Sequence, residues 1–252
     1  MKKKSKGITA LICVFLVCCI GGGGYYGRMK GWFNPGNRRE YSVKNTAGEN
    51  SVLRGKTVIF LGSSVTYGFA AGGESFVDYL AKETGLIAVK EAVSGTTLVD
   101  DKSSSYISRM KTIDKNIRAD AFVCQLSTND AAQGKPLGRI ADGSDISDFD
   151  THTVIGAMEY IIAYAKQTWQ CPVVFYTGTR YDSEAYEKMV GELLLLRRKW
   201  DIGVIDLWHN EAMNSIDAAT YRQYMNDGIH PTRRGYKEWW TPVFRAYLEE
   251  LL

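Results

Sequence analysis

Two adjacent serines follow an apolar run in the segment VIFLGSSVTYGFA, residues 58–70. The run predicts a buried strand, and Gly62 and Gly68 predict a turn after it. Hydroxyl groups at such a point suit either a phosphate-binding loop or a serine nucleophile. The phosphate-loop motif needs a lysine after its second glycine, and the dinucleotide motif needs G-x-G-x-x-G. The segment has neither feature, so it favours a nucleophile.

A serine nucleophile needs a general base, and the three histidines of the chain are the candidates for it. His230 lies in NDGIHPT, and Asp227 precedes it by three residues. A carboxylate at that spacing on a turn can reach the imidazole and fix its tautomer. His209 follows Asp206 at the same spacing, so it stays open as a substitute base. His152 is interpreted as a surface or helix-cap residue.

The elements that must position these residues alternate along the chain. Apolar runs predict strands at 56–62, 86–93, 120–127, 171–178 and 202–208. Helical periodicity predicts helices at 75–85, 104–117, 151–169, 183–200 and 235–252. The alternation predicts an α/β domain with a mostly parallel sheet, whose functional loops lie at the carboxyl ends of the strands. The acidic stretch 131–150 predicts a functional or mobile loop.

Four short motifs fall in order along this pattern: FLGSSVTYG, SGTT, STND and DGIHPT. In this order they resemble the four blocks of the SGNH hydrolases, also called GDSL-type esterases and lipases. The resemblance covers the chain from about Lys56 to the C-terminus and leaves the first 54 residues aside. It implies the SGNH hydrolase fold, a three-layer flavodoxin-like sandwich around a mostly parallel five-stranded sheet.

The resemblance also implies a role for each matching residue. Ser64 would be the nucleophile, His230 the base and Asp227 the acid that orients the base. The N–H groups of Ser64 and Gly95 and the side-chain amide of Asn129 would form the oxyanion hole. Such a site hydrolyses esters through an acyl-serine and requires no cofactor and no metal.

The motifs depart from the common family pattern at two positions. Ser63 stands where aspartate is usual, which leaves the catalytic residues in place. Ser127 stands where glycine is usual, and this would narrow the space beside Asn129.

The sequence says less about the substrate. We expect short-acyl, O-acetyl esters of carbohydrate outside the cytoplasm, because the 131–150 stretch is polar and no apolar segment resembles a lipase lid. A lysophospholipase or lipase, an acyltransferase using the same triad, and a catalytically silent glycan-binding module remain alternatives. Tyr181, Trp208 and His209 follow predicted strands and are candidate substrate contacts; the alternative is that they are partly buried aromatics at the rim.

The N-terminus predicts a membrane attachment. Residues 7–27 carry no charge, and a helix of this length spans about 30 Å, the thickness of a bilayer core. We therefore predict a signal anchor at 1–27, a juxtamembrane linker at 28–54 and a hydrolase domain at 55–252. The domain would lie outside the cytoplasm, or be secreted if the segment is a cleaved signal peptide.

Composition excludes several other classes. The chain is 45% hydrophobic and 23% charged, as in globular proteins. Its formal charge of +3 includes four lysines among the first six residues, so the remainder carries −1 and offers no basic face for nucleic acid. Cys124 and Cys171 lie in or beside apolar runs and are predicted to be buried thiols. No cysteine or histidine spacing suggests a zinc site.

Overall fold

The computed structural model describes residues 23–252, and its centre is a sheet of five parallel strands. The strand order is β2-β1-β3-β4-β5, and every neighbouring pair is parallel. The strands are β1 (Thr57–Gly62), β2 (Ile87–Ala92), β3 (Ala121–Gln125), β4 (Val173–Tyr176) and β5 (Gly203–Ile205). This is the flavodoxin-like strand order, and it confirms the predicted fold class.

The helices lie on both faces of the sheet. They are α1 (Ser64–Tyr67), α2 (Phe76–Thr84), α3 (Tyr106–Met110), α4 (Thr128–Ala132), α5 (Val154–Trp169), α6 (Glu184–Trp200), α7 (Glu211–Asn214), α8 (Ala218–Tyr224), α9 (Arg233–Gly235) and α10 (Thr241–Leu251). Each strand alternates its side chains between two apolar cores. In β1, Ile59 and Leu61 join the core under α5 and α6, whereas Val58 and Phe60 join the core under α2 and α10. The result is a three-layer sandwich.

The C-terminal helical segment differs from the single helix predicted at 235–252. A π-helical turn, Tyr236–Trp240, precedes α10, and the N–H of Thr241 bonds to the carbonyl of Tyr236. Pro242 lies in the first turn of α10, directly after this π-helical turn, and the first turn is the part of a helix that tolerates proline. Indole and phenyl rings of this segment, Trp240 and Phe244, stack in the core against Phe76.

The helix predicted at 104–117 is much shorter in the structure. Ser105 caps α3 by accepting the Ser108 N–H, but the helix ends at Met110. Beyond it, Asp114 accepts the backbone N–H of Asn116. Such local side-chain bonds compete with helical ones, which explains why the segment turns instead of continuing.

The acidic stretch 131–150 is fastened to the two helices beside it. Glu159 of α5 is fully buried and bonds to Lys199 Nζ at 2.6 Å and Trp200 Nε1 at 3.0 Å. Its second oxygen accepts the N–H of Ala141 at 2.9 Å, and Lys199 donates to the carbonyls of Ala141 and Gly143. A buried charge of this kind is stable only when it is paired and hydrogen-bonded. The middle of the stretch is therefore held in place.

The segment before β1, predicted to be a linker, packs against the domain. The Tyr79 hydroxyl donates to the carbonyl of Tyr41 at 2.6 Å, and the hydroxyl of Ser42 donates to Glu74 at 2.8 Å. Asn37 accepts the N–H of Arg233 at 2.8 Å. Residues 35–45 form three short 3₁₀ turns, and the side chain of Leu53 is fully buried.

The predicted anchor lies mostly outside the described residues, because the description begins at residue 23. Residues 23–29 are helical. Between residues 23 and 252, no helix combines the length and the apolar character that crossing a bilayer requires. Cys124 and Cys171 are buried free thiols, as predicted.

Candidate active site

The junction between β1 and α1 presents Ser64 as the first helical residue after the strand. The side-chain oxygen of Gln125, at the end of β3, accepts the N–H of Ser63 at 2.9 Å and the N–H and hydroxyl of Thr66 at 3.2 and 2.8 Å. A Cβ at Gly62 would come within 1.7 Å of the Thr66 hydroxyl, so only glycine fits there. The turn that carries Ser64 is thus fixed by the neighbouring strand.

Three side chains form a continuous hydrogen-bonded chain at this turn. His230 Nε2 lies 2.9 Å from the Oγ of Ser64, and His230 Nδ1 lies 3.0 and 2.9 Å from the two carboxylate oxygens of Asp227. The turn that carries Asp227 and His230 is closed by a β-bridge between Met225 and Pro231. The structure therefore brings together the three residues predicted as nucleophile, base and acid.

The environment of Asp227 favours its ionised form. Partial burial by itself would raise the pKa of this carboxyl group. The hydrogen bond and positive charge from His230, with the backbone N–H groups of Ile229 and His230 at 2.8 Å each, outweigh that effect and lower the pKa below its usual range. An ionised Asp227 can hold the imidazole with its Nδ1 protonated and its Nε2 free to accept a proton.

The predicted oxyanion donors lie after β1, β2 and β3. Gly95 has φ of +83°, a conformation that favours glycine, and it is exposed. Among the described residues, the N–H groups of Ser64 and Gly95 have no hydrogen-bond acceptor. The amide of Asn129 donates one N–H to the carbonyl of Thr96 at 2.9 Å, which leaves its second N–H for a ligand.

The two departures from the family pattern are both buried, and Ser127 supports the surrounding backbone. Ser127 is fully buried, and its hydroxyl accepts the N–H of Asn129 at 3.2 Å, so it caps α4. Ser63 is also fully buried and directly precedes the nucleophile.

Arg109 joins the first two predicted oxyanion donors, and sequence reasoning did not find it. Its Nη2 donates to the carbonyl of Gly62 at 2.9 Å and to the hydroxyl of Thr96 at 3.0 Å. Its Nη1 pairs with Glu91 at the end of β2 at 3.0 Å. The side chain is 9% exposed. It thus fixes the residue two before Ser64 and the residue after Gly95 relative to each other.

Asp130 holds the same loop from its other side. Its carboxylate is fully buried and accepts the N–H groups of Leu98 and Val99 at 2.8 and 3.1 Å. Burial raises the pKa of this carboxyl group above its usual range, against the lowering effect of those hydrogen bonds. The segment from Gly95 to Val99 is therefore fastened at both ends.

The other two histidines lie apart from this chain. His209 Nδ1 bonds to Asp206 at 2.8 Å, which repeats the Asp227–His230 pairing, but no serine completes it within residues 23–252. The His209 side chain is 50% exposed. His152 is exposed at the start of α5. The structure assigns the contact with Ser64 to His230.

The predicted substrate aromatics differ in their accessibility. Trp208 is only 3% exposed, because its ring packs between those of Tyr181 and Tyr186 at 5.5 and 5.3 Å. It is a core residue in this structure and presents no open face. Tyr181 is partly exposed, and its Cβ would lie 3.8 Å from a Cβ at Gly228, next to the turn that carries the triad. Of the three candidates, Tyr181 lies against that turn.

Phe69 covers one side of the histidine, and the N-terminal segment packs against Phe69. The ring of Phe69 lies 5.3 Å from the imidazole of His230, centroid to centroid. Lys30 Nζ lies 3.9 Å from the centroid of the Phe69 ring, as a cation–π contact. The wall beside the imidazole is thus built from both the domain and the segment that precedes it.

Comparisons with solved structures agree with this architecture. A protein from Bacteroides ovatus described as a GDSL-like lipase has 18% identity and a TM-score of 0.58, with 77% of this chain and 98% of that chain covered. A family two carbohydrate esterase from Clostridium thermocellum, solved with cellohexaose, has 12% identity and a TM-score of 0.57, with 78% and 64% covered. The acetyl xylan esterase AlAXEase has 15% identity and a TM-score of 0.50, with 76% and 98% covered. At these identities the likeness is one of fold.

A sequence comparison with functionally characterised proteins gave no significant match. The model of the GDSL-like lipase/acylhydrolase family matches residues 60–238, which is most of the chain and includes the nucleophile turn, the histidine turn and the strands between them. The chain belongs to the GDSL-like lipase/acylhydrolase family and is an ester hydrolase.

Proposed function

We propose that this protein hydrolyses carboxylic esters through an acyl-serine intermediate on Ser64, with His230 as general base and Asp227 as the orienting acid. The observation that carries the proposal is the unbroken hydrogen-bonded chain from the Asp227 carboxylate through the imidazole to Ser64 Oγ. A serine hydroxyl is a weak nucleophile, and an adjacent, oriented base is what activates it.

The reaction follows from this arrangement. Ser64 Oγ attacks the ester carbonyl while His230 Nε2 takes its proton, and the ionised Asp227 stabilises the imidazolium. The imidazolium then protonates the leaving alcohol as the carbon–oxygen bond breaks. Water, deprotonated by the same imidazole, attacks the acyl-serine and releases the acid. Each proton taken up by the histidine is returned, so the cycle balances.

The negative charge that develops on the carbonyl oxygen needs fixed donors. The N–H groups of Ser64 and Gly95 and the remaining N–H of Asn129 are the donors that we assign to it. Each such donor lowers the barrier by about 3 kcal/mol in well-studied hydrolases. The bond from Asn129 to Thr96 holds the amide in one orientation before substrate arrives.

For the substrate, we propose short-acyl esters, above all O-acetyl groups, on carbohydrate. Two of the proteins that share the fold are a carbohydrate esterase and an acetyl xylan esterase. Transfer of the acyl group to a sugar hydroxyl would use the same acyl-serine. Comparison of products with and without a sugar acceptor distinguishes the two reactions, because transfer yields a new ester and hydrolysis yields free acid.

We also propose that residues 7–27 attach the chain to a membrane with the domain outside the cytoplasm. The uncharged stretch of 21 residues after the N-terminal lysines supports this placement. Fractionation of cells that express the chain with and without residues 1–27 tests it. Equal recovery of both forms in the soluble fraction would contradict it.

The nucleophile is tested first with a fluorophosphonate probe on the full chain. Attack of Ser64 Oγ on phosphorus expels fluoride and adds the phosphonyl group, which intact mass spectrometry detects. We expect one adduct on the wild type, one on Ser63→Ala and none on Ser64→Ala. Ser63 is the matched control, because it is the adjacent serine and is buried. No adduct on folded wild type would overturn the proposed mechanism.

The acyl preference is tested with 4-nitrophenyl esters of increasing chain length. We expect kcat/KM to fall from acetate to octanoate. A preference for octanoate would favour the lipase alternative. Absence of turnover, together with glycan binding retained in Ser64→Ala, would favour the binding module.

A further inference from the structure

A large cavity lies beside the triad, and Asp227 is the triad residue among the described residues that line it. Its volume is about 980 Å³, and it lies between the N-terminal segment and α8. We call it the arginine pocket; its lining includes Arg28, Arg38, Arg222, Phe33, Tyr221 and Asp227. Asp227 thus bonds to the catalytic histidine and also lines this cavity.

The three arginines of the arginine pocket, Arg28, Arg38 and Arg222, have no ion-pair partner among the described residues. Five arginines elsewhere in residues 23–252 do pair with carboxylates: Arg109, Arg139, Arg233, Arg234 and Arg245. The one carboxylate that lines the pocket, Asp227, already bonds to His230 and two backbone N–H groups.

Three guanidinium groups around one cavity favour an anionic ligand. Guanidinium matches carboxylate, sulfate and phosphate oxygens through paired hydrogen bonds, and the three arginines that line this cavity are exposed to solvent and open to a ligand. The aromatic rings of Phe33, 72% exposed, and Tyr221 supply apolar faces at the same place. An acidic sugar carries anionic oxygens for the arginines and an apolar ring face for the aromatic rings. It therefore matches this pocket better than a simple inorganic anion does.

The position of the pocket sets the length of the ligand. A molecule that reaches from Ser64 to the arginines must pass the imidazole of His230 and the carboxylate of Asp227. A small acyl ester does not span that path, whereas a polysaccharide chain does.

We propose that the arginine pocket binds an anionic sugar unit of an acylated polysaccharide and so places a neighbouring ester at Ser64. This inference rests on the proposed function and names the substrate class as an acidic glycan. Binding in the pocket is non-covalent and leaves the chemistry at Ser64 unchanged. Its contribution is expected in KM and in the salt dependence of the reaction.

The test compares three substrates with the full chain: O-acetylated polygalacturonate, O-acetylated xylan without acidic side chains, and 4-nitrophenyl acetate. The variant is Arg38→Gln/Arg222→Gln, which removes two charges and keeps the backbone bonds of both residues. Arg39→Gln is the matched control, because Arg39 is an exposed neighbour that does not line the pocket. Circular dichroism and thermal unfolding confirm that all variants are folded.

We expect KM for acetylated polygalacturonate to rise about tenfold in the double variant, from two lost charge contacts, and less than about twofold in Arg39→Gln. Turnover of 4-nitrophenyl acetate is expected to stay within about twofold of wild type in both. In wild type, raising the salt concentration is expected to increase KM for the anionic polymer more than for xylan. Calorimetry with Ser64→Ala is expected to show binding of deacetylated polygalacturonate that the double substitution removes.

Other outcomes separate this inference from the proposed function. Hydrolysis of 4-nitrophenyl acetate with equal KM for both polymers, unchanged by the double substitution, overturns the arginine pocket as a glycan site and leaves the esterase intact. Loss of binding to vesicles of anionic phospholipid in the double variant, without any effect on the polymers, would assign the pocket to a membrane instead. Failure to hydrolyse any of the three substrates would overturn the proposed function itself.

Discussion

At the scale of single residues, the protonation state of Asp227 decides whether His230 can act as a base. Asp227 is partly solvent-exposed, with 47% of its side chain accessible, and yet it must stay ionised and fix one tautomer of His230. Two backbone N–H groups and the imidazole lower its pKa against the effect of burial. The groups that stabilise the ionised form of Asp227 therefore come from the same turn, at Ile229 and His230.

We predict that Asp227→Asn lowers kcat by about a thousandfold or more, because the amide holds the imidazole in the wrong tautomer. Asp206→Asn is the matched control, since Asp206 bonds to His209 at the same spacing and touches no nucleophile. We expect it to change kcat by less than about threefold. Steady-state hydrolysis of 4-nitrophenyl acetate measures both. A larger loss in Asp206→Asn would make His209 the base.

The same carboxyl group gives a pH dependence of stability. The pKa of Asp227 is lower in the folded protein than the ordinary 3.8, so its stabilising effect is present above that value and is lost as the pH falls through the folded-state pKa. The difference in unfolding free energy between wild type and Asp227→Asn should thus be constant near neutral pH and shrink below about pH 4. Urea denaturation across this range measures it.

At the scale of elements, the catalytic groups come from the ends of separate strands, and Arg109 of α3 connects them. It reaches the carbonyl of Gly62 at the end of β1 and the hydroxyl of Thr96 after β2. Asn129, after β3, bonds to the same Thr96. Each oxyanion donor is therefore positioned by an element other than the one that carries it.

We predict that Arg109→Lys lowers kcat about tenfold or more while KM stays within about twofold, because the loop that presents Gly95 loses its forked contact and the oxyanion donor shifts. The unfolding free energy should fall by about 2 kcal/mol, since Gly62 and Thr96 lose a buried donor. Arg245→Lys is the control, because Arg245 is likewise paired with glutamate, here Glu49 and Glu249, but lies in α10. An equal loss of kcat in both variants would show a general effect on stability rather than positioning.

The sequence predicted the functional residues of these elements only where the interacting residues lie close together in the chain. The serine turn and the Asp-x-x-His turn each lie within a few residues, so their chemistry was predictable. The choice between His230 and His209 was not settled by spacing, because both follow an aspartate by three residues. Arg109 and Gln125 form hydrogen bonds with residues of other strands and loops, and the residues next to them in sequence do not predict these bonds. A glutamine at the end of an apolar run was the one available signal for Gln125.

At the scale of the whole molecule, the segment before β1 contributes to the domain and to its active site. Glu74 accepts hydrogen bonds from Ser42 and Val43 and pairs with Arg233, which joins the N-terminal segment to both ends of the domain. Lys30 covers Phe69, which packs beside His230. The polar residues of the predicted linker make several of these contacts, which the tertiary structure shows and the composition does not.

The consequence is a test of where the functional domain begins. A chain that starts at Gly55, the predicted boundary, loses Leu53, whose burial alone stabilises by about 2 kcal/mol, and the bonds to Tyr79, Glu74 and Arg233. We expect it to unfold at lower urea concentration than a chain that starts at Gly23, and to lose activity because the wall beside His230 is incomplete. Denaturation and hydrolysis of 4-nitrophenyl acetate, measured on both chains, decide the matter. Equal stability and equal kcat would place the boundary at residue 55 and reduce the preceding segment to a linker, whereas equal stability with a lower kcat would assign it to the active site alone.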